Sequence, residues 1–327
     1  MLGEHTRPTN RTMEPTILIK IASYRDRELP KTIQSALTNA VHPENLRFAV
    51  YNQEDVHVID DLQAWRKDPR FRITDIPWRS ATGPALPRHT NDTKWDGEDV
   101  TLQIDSHMRF GDRWDERLIN EWVSRDNDHA VLSLYPPDFS YRQGREVYES
   151  TYVPRRLVVK HVVEDSVTLL GLFNQKVPTD RPHLLASGGF MFSHGALCQA
   201  VTTNPKANYG EELTHSLQLF QNGYHIYTPR DLPVWHWYGR TGKANRISTD
   251  FNKGSLKDSL DRVTEQTRNA CNEIVFGPDP ENAKRPTRIF MKKLKLAYMD
   301  MPWPKDWPNP DNWDEEAAAL WENLKTR

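Results

Sequence analysis

Between residues 16 and 105 the chain alternates four short, β-rich apolar runs with segments of helical periodicity, and that alternation limits it to one class of fold. The runs fall at 17–22, 46–51, 71–76 and 100–104. The segment after the first carries Leu29, Ile33, Ala36, Leu37 and Ala40 on one helical face, with Pro30 in the first turn, where its missing N–H is tolerated. A short helix is expected at 61–66 and another at 84–92, after the Gly83-Pro84 break. Strands joined by helices in this way form a parallel sheet with right-handed crossovers, and such sheets bind ligands at the carboxyl ends of their strands.

Those carboxyl ends are where chemistry is sought. Strand one runs into Ser23-Tyr24-Arg25-Asp26, strand two into Gln53-Glu54, and strand four into Asp105-Ser106-His107. Side chains two apart on a strand share a face, so Asp105 and His107 project to the same side as Ile104 leaves the sheet. A carboxylate and an imidazole suit Mn²⁺ or a similar divalent ion, which in turn holds the phosphates of a nucleotide. An ordinary strand end with a polar turn is the competing reading, because a motif this short recurs by chance.

Further along, a helix is expected at 112–121 and a strand at 130–134. Prolines 136, 137, 154, 178 and 182 break up residues 136–186, which read as an insertion with one strand pair around 157–163. A strand entered through Gly188-Gly189 follows at 187–192. Tyr209-Gly210-Glu211-Glu212 opens a helix with Leu213, Leu217 and Phe220 on one face, closed by Asn222-Gly223. Short strands at 224–227 and 233–237 follow, the second setting His236 between Trp235 and Trp237. His236 is a third candidate ligand, although a histidine packed among tryptophans is an equally ordinary core element. Glu211 and Glu212 are candidates for orienting an acceptor or serving as its base, with one of them favoured by the helix dipole. Arg88 is a candidate for neutralising a pyrophosphate, against the alternative of a solvated surface arginine.

Composition narrows the classes. Hydrophobic residues at 37%, charged residues at 27% and a formal charge of −2 describe a soluble globular protein without a general polyanion-binding character. The two cysteines, Cys198 and Cys271, lie far apart and outside any CxxC pattern, which excludes a disulfide framework or a structural zinc site and favours a reducing compartment. Residues 1–15 contain no apolar signal core, and no run approaches the ~20 apolar residues of a membrane span. A soluble, cytoplasmic protein with no membrane association is expected, rather than a Golgi-type anchored one. The expected organisation is a flexible arm at 1–15, a catalytic domain at 16–242 and a mainly helical appendage at 243–327, where Leu256-Leu260-Val263, 288–298 and 315–324 carry helical patterns.

Taken in order, Ile21-Ala22-Ser23-Tyr24-Arg25-Asp26 with Leu29-Pro30, Gly83-Pro84 with Arg88, Gln103-Ile104-Asp105-Ser106-His107-Met108-Arg109-Phe110, Ser187-Gly188-Gly189-Phe190, Gly210-Glu211-Glu212 and the His236 region resemble the GlcNAc-transferase family, which includes cytoplasmic hydroxyproline polypeptide GlcNAc-transferases. The resemblance spans about residues 16–240. It implies a GT-A fold with a Rossmann-like mixed sheet, a UDP-sugar donor, Mn²⁺ or Mg²⁺, and transfer to an acceptor hydroxyl with retention of anomeric configuration, by default on a polypeptide. Mucin-type polypeptide GalNAc-transferases also combine Asp-x-His with a distant histidine. Carried over by position, Asp105, His107 and His236 would hold the metal. Ala22, Ser23, Tyr24, Arg25, Gln53, Arg88, Ile104, Asp105, Ser106, Gly188 and Gly189 would face the nucleotide-sugar. Two other readings stay open. The basic stretch Lys284-Arg285-Pro286-Thr287-Arg288 with Lys292, Lys293 and Lys295, beside Phe290 and Tyr298, fits transfer to hydroxymethylated bases in DNA. The 11 tryptophans fit an inactive carbohydrate- or sugar-nucleotide-binding module.

Overall fold

The computed structural model describes residues 15–55, 62–162, 170–208, 210–239 and 246–313, together with 315, 317 and 319. Its centre is a seven-stranded sheet in the order β12-β6-β11-β4-β1-β2-β3. The strands are β1 (Ile17–Tyr24), β2 (Leu46–Gln53), β3 (Phe71–Ile76), β4 (Val100–Asp105), β6 (Ala130–Ser133), β11 (Phe190–His194) and β12 (His225–Tyr227). Those four runs near the amino terminus form the parallel block β4-β1-β2-β3. Only β11 runs the other way, antiparallel to both β4 and β6, and it makes the sheet mixed. The carboxyl ends of the six other strands therefore share one edge.

β1 and β2 read as continuous apolar runs because both their faces are covered. Helices α1 (Leu29–Asn39), α3 (Ala85–Asp92) and α4 (Trp114–Val123) pack on the sheet. Ile17, Ile19, Ile21, Phe48, Leu102 and Phe190 build the main core with Leu29 and Ile33 of α1 and Trp114 and Leu118 of α4. The exception in β1 is Lys20, buried with its ammonium 2.6 Å from Asp92 of α3. The α2 helix is short (Gln63–Arg66), and residues 56–61, where its expected beginning falls, lie outside the described set.

The insertion contains two hairpins where the sequence suggests one strand pair. The β9 (Arg155–Val162) and β10 (Leu170–Lys176) strands form the expected pair. The unexpected one joins β7 (Phe139–Arg142) to β8 (Arg145–Tyr148) through Gln143-Gly144, both at positive φ. A short ladder pairs β5 (Met108–Phe110) with β13 (Val234–His236).

The carboxyl-terminal segment does not stand apart. Helix α6 (Glu211–Gln221) lends Leu213, Leu217 and Phe220 to a second core shared with Cys271, Val275 and Phe276 of α8 (Gly254–Phe276) and Phe290, Met291 and Leu294 of α9 (Thr287–Ala297). Leu157 and Val159 of β9, Trp307 and Trp313 complete it. The short helices α5 (Leu197–Ala200) and α7 (Ile247–Asp250) finish the fold. Of the regions read from sequence, the arm at 1–14, Tyr209, residues 240–245 at the expected domain boundary and most of the final helix at 315–324 lie outside the described residues.

Candidate active site

The sheet edge where β1, β2, β4 and β6 end carries the polar groups, and two long-range registers assemble them. Asp105 closes β4 opposite Ala22 of β1. Three residues on, the chain enters β5, and the β5–β13 register sets His236 opposite Met108, next to His107. The two imidazole rings lie 4.4 Å apart, centre to centre. Among the described residues, Asp105, His107 and His236 form a group whose potential ligand atoms all lie within 4.8 Å of one another.

This set fits a divalent ion. His236 Nε2 stands 3.1 Å from Asp105 Oδ2. Two donors at right angles, each about 2.1 Å from an octahedral ion, are separated by about 3.0 Å. His107 turns its Nδ1 to Asp26 at 2.8 Å, and the same carboxylate oxygen accepts from Ser106 Oγ at 2.7 Å. In this arrangement the carboxylate fixes the tautomer and ring orientation of His107. Burial, and then the neighbouring His236, lower the His107 pKa, which keeps the imidazole neutral and ligand-competent. Burial disfavours ionisation of Asp105, but His236, His107 and Arg88 outweigh it and hold the carboxyl well below its usual range.

Arg88 projects from α3 and is pinned. It faces Asp105 Oδ1 at 3.3 Å and pairs with Glu211 at the start of α6. Burial opposes its charge, yet Glu211 and Asp105 keep its pKa above the ordinary arginine value, so it is a fixed cation rather than a solvated surface arginine. The two adjacent glutamates divide their tasks. Glu211 turns to Arg88, while Glu212 accepts from Tyr135 Oη at 2.8 Å and from the Gly188 amide at 3.1 Å. Burial, then the charge of Glu211, push the Glu212 carboxyl up to about 7.

Gly188 and Gly189 line the wall opposite. A Cβ on Gly188 would sit 2.6 Å from Arg88 Nη1, and one on Gly189 would sit 2.8 Å from Asp105 Oδ2. The absence of side chains there is what lets the β11 entry approach the charged cluster. Gln103 Nε2 fixes the turn by donating to Gly188 O at 2.9 Å.

The residues expected to face the nucleoside lie at the ends of β1 and β2. Gln53 Nε2 donates to Ser23 O at 3.1 Å, while Gln53 Oε1 and Ser23 Oγ are buried without partners among the described residues. Tyr24 and Arg25 lie beside them, and both bind Asp250 of α7, at 2.9 and 2.8 Å. Ile104 is buried in β4 and Ser106 is spent on Asp26. Asp26 falls in the strand-one turn that the sequence reading singles out, but its role as the partner of His107 is visible only in space. Two further participants escape the sequence reading of the site. Asp250 lies 225 residues from Arg25. Tyr135 follows β6 at the same carboxyl edge, and the strand-end rule applied one strand further would have found it.

A family model described as Glycosyltransferase (GlcNAc) matches residues 56–272. No curated protein matches the chain in sequence. Among solved structures, a crystal structure of GalNAc-T7 with UDP, GalNAc and Mn²⁺ is similar with a TM-score of 0.54 and 14% identity, over 77% of this chain and 48% of that one. The chain thus spans about half the length of that relative. A crystal structure of residues 1–349 of TarS from S. aureus covers 95% of this chain and 90% of that one, with 10% identity and a TM-score of 0.49. A mannosyltransferase, PcManGT from Pyrobaculum calidifontis, in complex with GDP-Man and Mn²⁺, covers 96% of this chain and 76% of that one, with 13% identity and a TM-score of 0.48. The mixed sheet and the similarity to GalNAc-T7 identify the fold as GT-A. Because the family match extends over well over half of the chain and takes in Arg88, the Asp105/His107/His236 group and the Glu211-Glu212 pair, the chain belongs to the GlcNAc glycosyltransferase family.

Proposed function

We propose that the protein is a metal-dependent glycosyltransferase that moves a GlcNAc-like sugar from a UDP-sugar to an acceptor hydroxyl, by default on a polypeptide, with retention of configuration. The observation that carries this reading is the convergence of Asp105, His107 and His236 beside the fixed cation Arg88 at the carboxyl edge of the sheet. The similarity to a structure holding UDP, GalNAc and Mn²⁺ supports the choice of donor class and metal.

In this mechanism Asp105, His107 and His236 would hold Mn²⁺ or Mg²⁺, which when bound would supply Lewis-acid stabilisation of diphosphate charge. Arg88 adds a fixed positive charge at the same place, held by Asp105 and Glu211 so that no reorganisation is needed as charge develops. Ser23, Gln53 and the adjacent Tyr24-Arg25 turn bind the nucleoside, and the Gly188-Gly189 turn admits the donor against the charged cluster. The nearby carboxylates are committed: Asp105 to His236 and Arg88, Glu211 to Arg88, Glu212 to Tyr135. Glu211 and Glu212 therefore position sugar and acceptor hydroxyls rather than attack. The departing phosphate oxygen takes the acceptor proton on the face the leaving group vacates, which gives retention.

Transfer to DNA is the less favoured reading, because Phe290 and Tyr298, beside the basic stretch, are buried and offer no ring for a base to stack on. The test is a thermal-shift panel of UDP-, GDP- and TDP-sugars with and without Mn²⁺, since a ligand that binds only the native state raises its melting temperature. A UDP-sugar that stabilises only in the presence of the metal supports the reading. Equal stabilisation in a chelator contradicts it.

A further inference from the structure

Six large hydrophobic side chains are exposed among the described residues, and two of them, Ile289 at 39% and Leu296 at 75%, lie on α9. At about 100° per residue, positions seven apart fall within about 20° of each other, so the two aliphatic side chains share one line along the helix. Lys292 and Lys293 flank that line on either side, the Lys293 ammonium at the same time lying 5.3 Å from the centre of the Phe220 ring of α6, and Arg288 extends the basic margin. The buried Phe290, Met291 and Leu294 point the opposite way, into the second core. The helix is thus anchored on its inner face and carries an aliphatic ridge between cations on its outer one. Lys284, just upstream, is exposed on the same segment. Among the described residues, the acidic Asp311 lies 3.3 Å from Lys292 at this margin, with both side chains more than half exposed.

We propose that this outer face of α9 docks on an anionic phospholipid bilayer, bringing the transferase to acceptors held at a membrane surface. Cations attract anionic headgroups, and an aliphatic ridge at the same level enters the acyl boundary. A nucleic acid uses the charges but leaves Leu296 in water. A second copy of the chain would set like charges against each other. None of the described helices is long and apolar enough to cross a membrane, so the contact is peripheral. This departs from the expectation of no membrane association, which rested on net charge and the lack of spanning segments. It stands independently of the catalytic reading, because neither Ile289 nor Leu296 belongs to the donor site.

The test is sedimentation of the full chain with phosphatidylcholine vesicles and with vesicles that also contain phosphatidylglycerol. The protein is expected to sediment only with the anionic vesicles and to be released by salt. Leu296→Asp, at an exposed position, and the double change Lys292→Glu with Lys293→Glu are each expected to weaken binding about tenfold, with the melting temperature and metal-dependent donor binding retained. Absence of sedimentation at low salt overturns the proposal. So does a Leu296→Asp variant that binds like the parent, or equal competition by soluble polyglutamate or an oligonucleotide, since either result marks a purely electrostatic patch.

Discussion

The carboxylate of Asp26 lies 2.8 Å from Nδ1 of His107, joining the turn after the first strand to the metal-capable end of the fourth. Asp26 is thereby a positioning residue. It fixes the ring orientation of His107 beside Asp105 and His236 and holds Ser106 in the same grip. Asp26→Asn keeps the shape and removes the charge that orients the imidazole. The expected result is a 10- to 100-fold loss of Mn²⁺ affinity by calorimetry in the absence of donor. Unchanged affinity would mean that the contact only stabilises the turn.

Gly189 is required for space, since a Cβ there would meet Asp105 Oδ2 at 2.8 Å. Gly189→Ala should displace the Asp105 carboxylate and reduce donor turnover at least about tenfold, because a small misplacement of a reacting group is costly. Far-ultraviolet circular dichroism should stay unaltered. Full turnover would show that the turn has room to give.

Stability should fall with pH as the Glu212 carboxyl ionises, burial raising its neighbour Glu211 in the same direction. Glu212 titrates at about 7 in the folded state, raised by burial and by Glu211, against about 4.3 in an unfolded chain. The folded state binds that proton more tightly, so the stabilisation is complete below about pH 4.3 and is lost as pH climbs through 7. The melting temperature of the parent should drop between pH 5 and 8 relative to that of Glu212→Gln. Parallel profiles for the two proteins would remove this assignment.

The buried Lys20–Asp92 pair, 2.6 Å apart, ties β1 to α3. Asp92→Ala leaves an uncompensated ammonium in the core and deprives the Thr203 amide of its acceptor. A loss of about 3–5 kcal/mol in denaturant unfolding is expected. The change Lys20→Met with Asp92→Leu should recover most of it. A single variant as stable as the parent would show that water reaches the site.

What the sequence made legible follows from which interactions are local. The run at 71–76 matches β3 because its composition and flanking turns suffice to define it. Asp105 and His107 do come together, but β4 ends at Asp105 and His107 lies in the bend before β5, so the bend rather than the two-residue period of a strand brings them side by side. His236 is different. Its place beside His107 depends on the β5–β13 register, which joins segments more than a hundred residues apart. The β7–β8 hairpin escaped because its turn is Gln143-Gly144, a weaker signal for two positive-φ residues than Asn-Gly, and because Ser140-Tyr141-Arg142 shows little apolar alternation. The basic stretch at 284–295 was legible as charge. Which of its neighbours face solvent was not: the aromatic residues turn inward and Ile289 and Leu296 outward, a choice set by packing against α6.

The central claim is that Asp105, His107 and His236 form the metal–diphosphate centre of a nucleotide-sugar transferase. The most direct measurement is donor hydrolysis by the purified chain with UDP-GlcNAc and Mn²⁺, compared between the parent and Asp105→Ala, with folding of both verified by melting temperature. The account predicts metal-dependent turnover in the parent that falls to background in the variant. A folded Asp105→Ala protein that still hydrolyses the donor at the parental rate would contradict it.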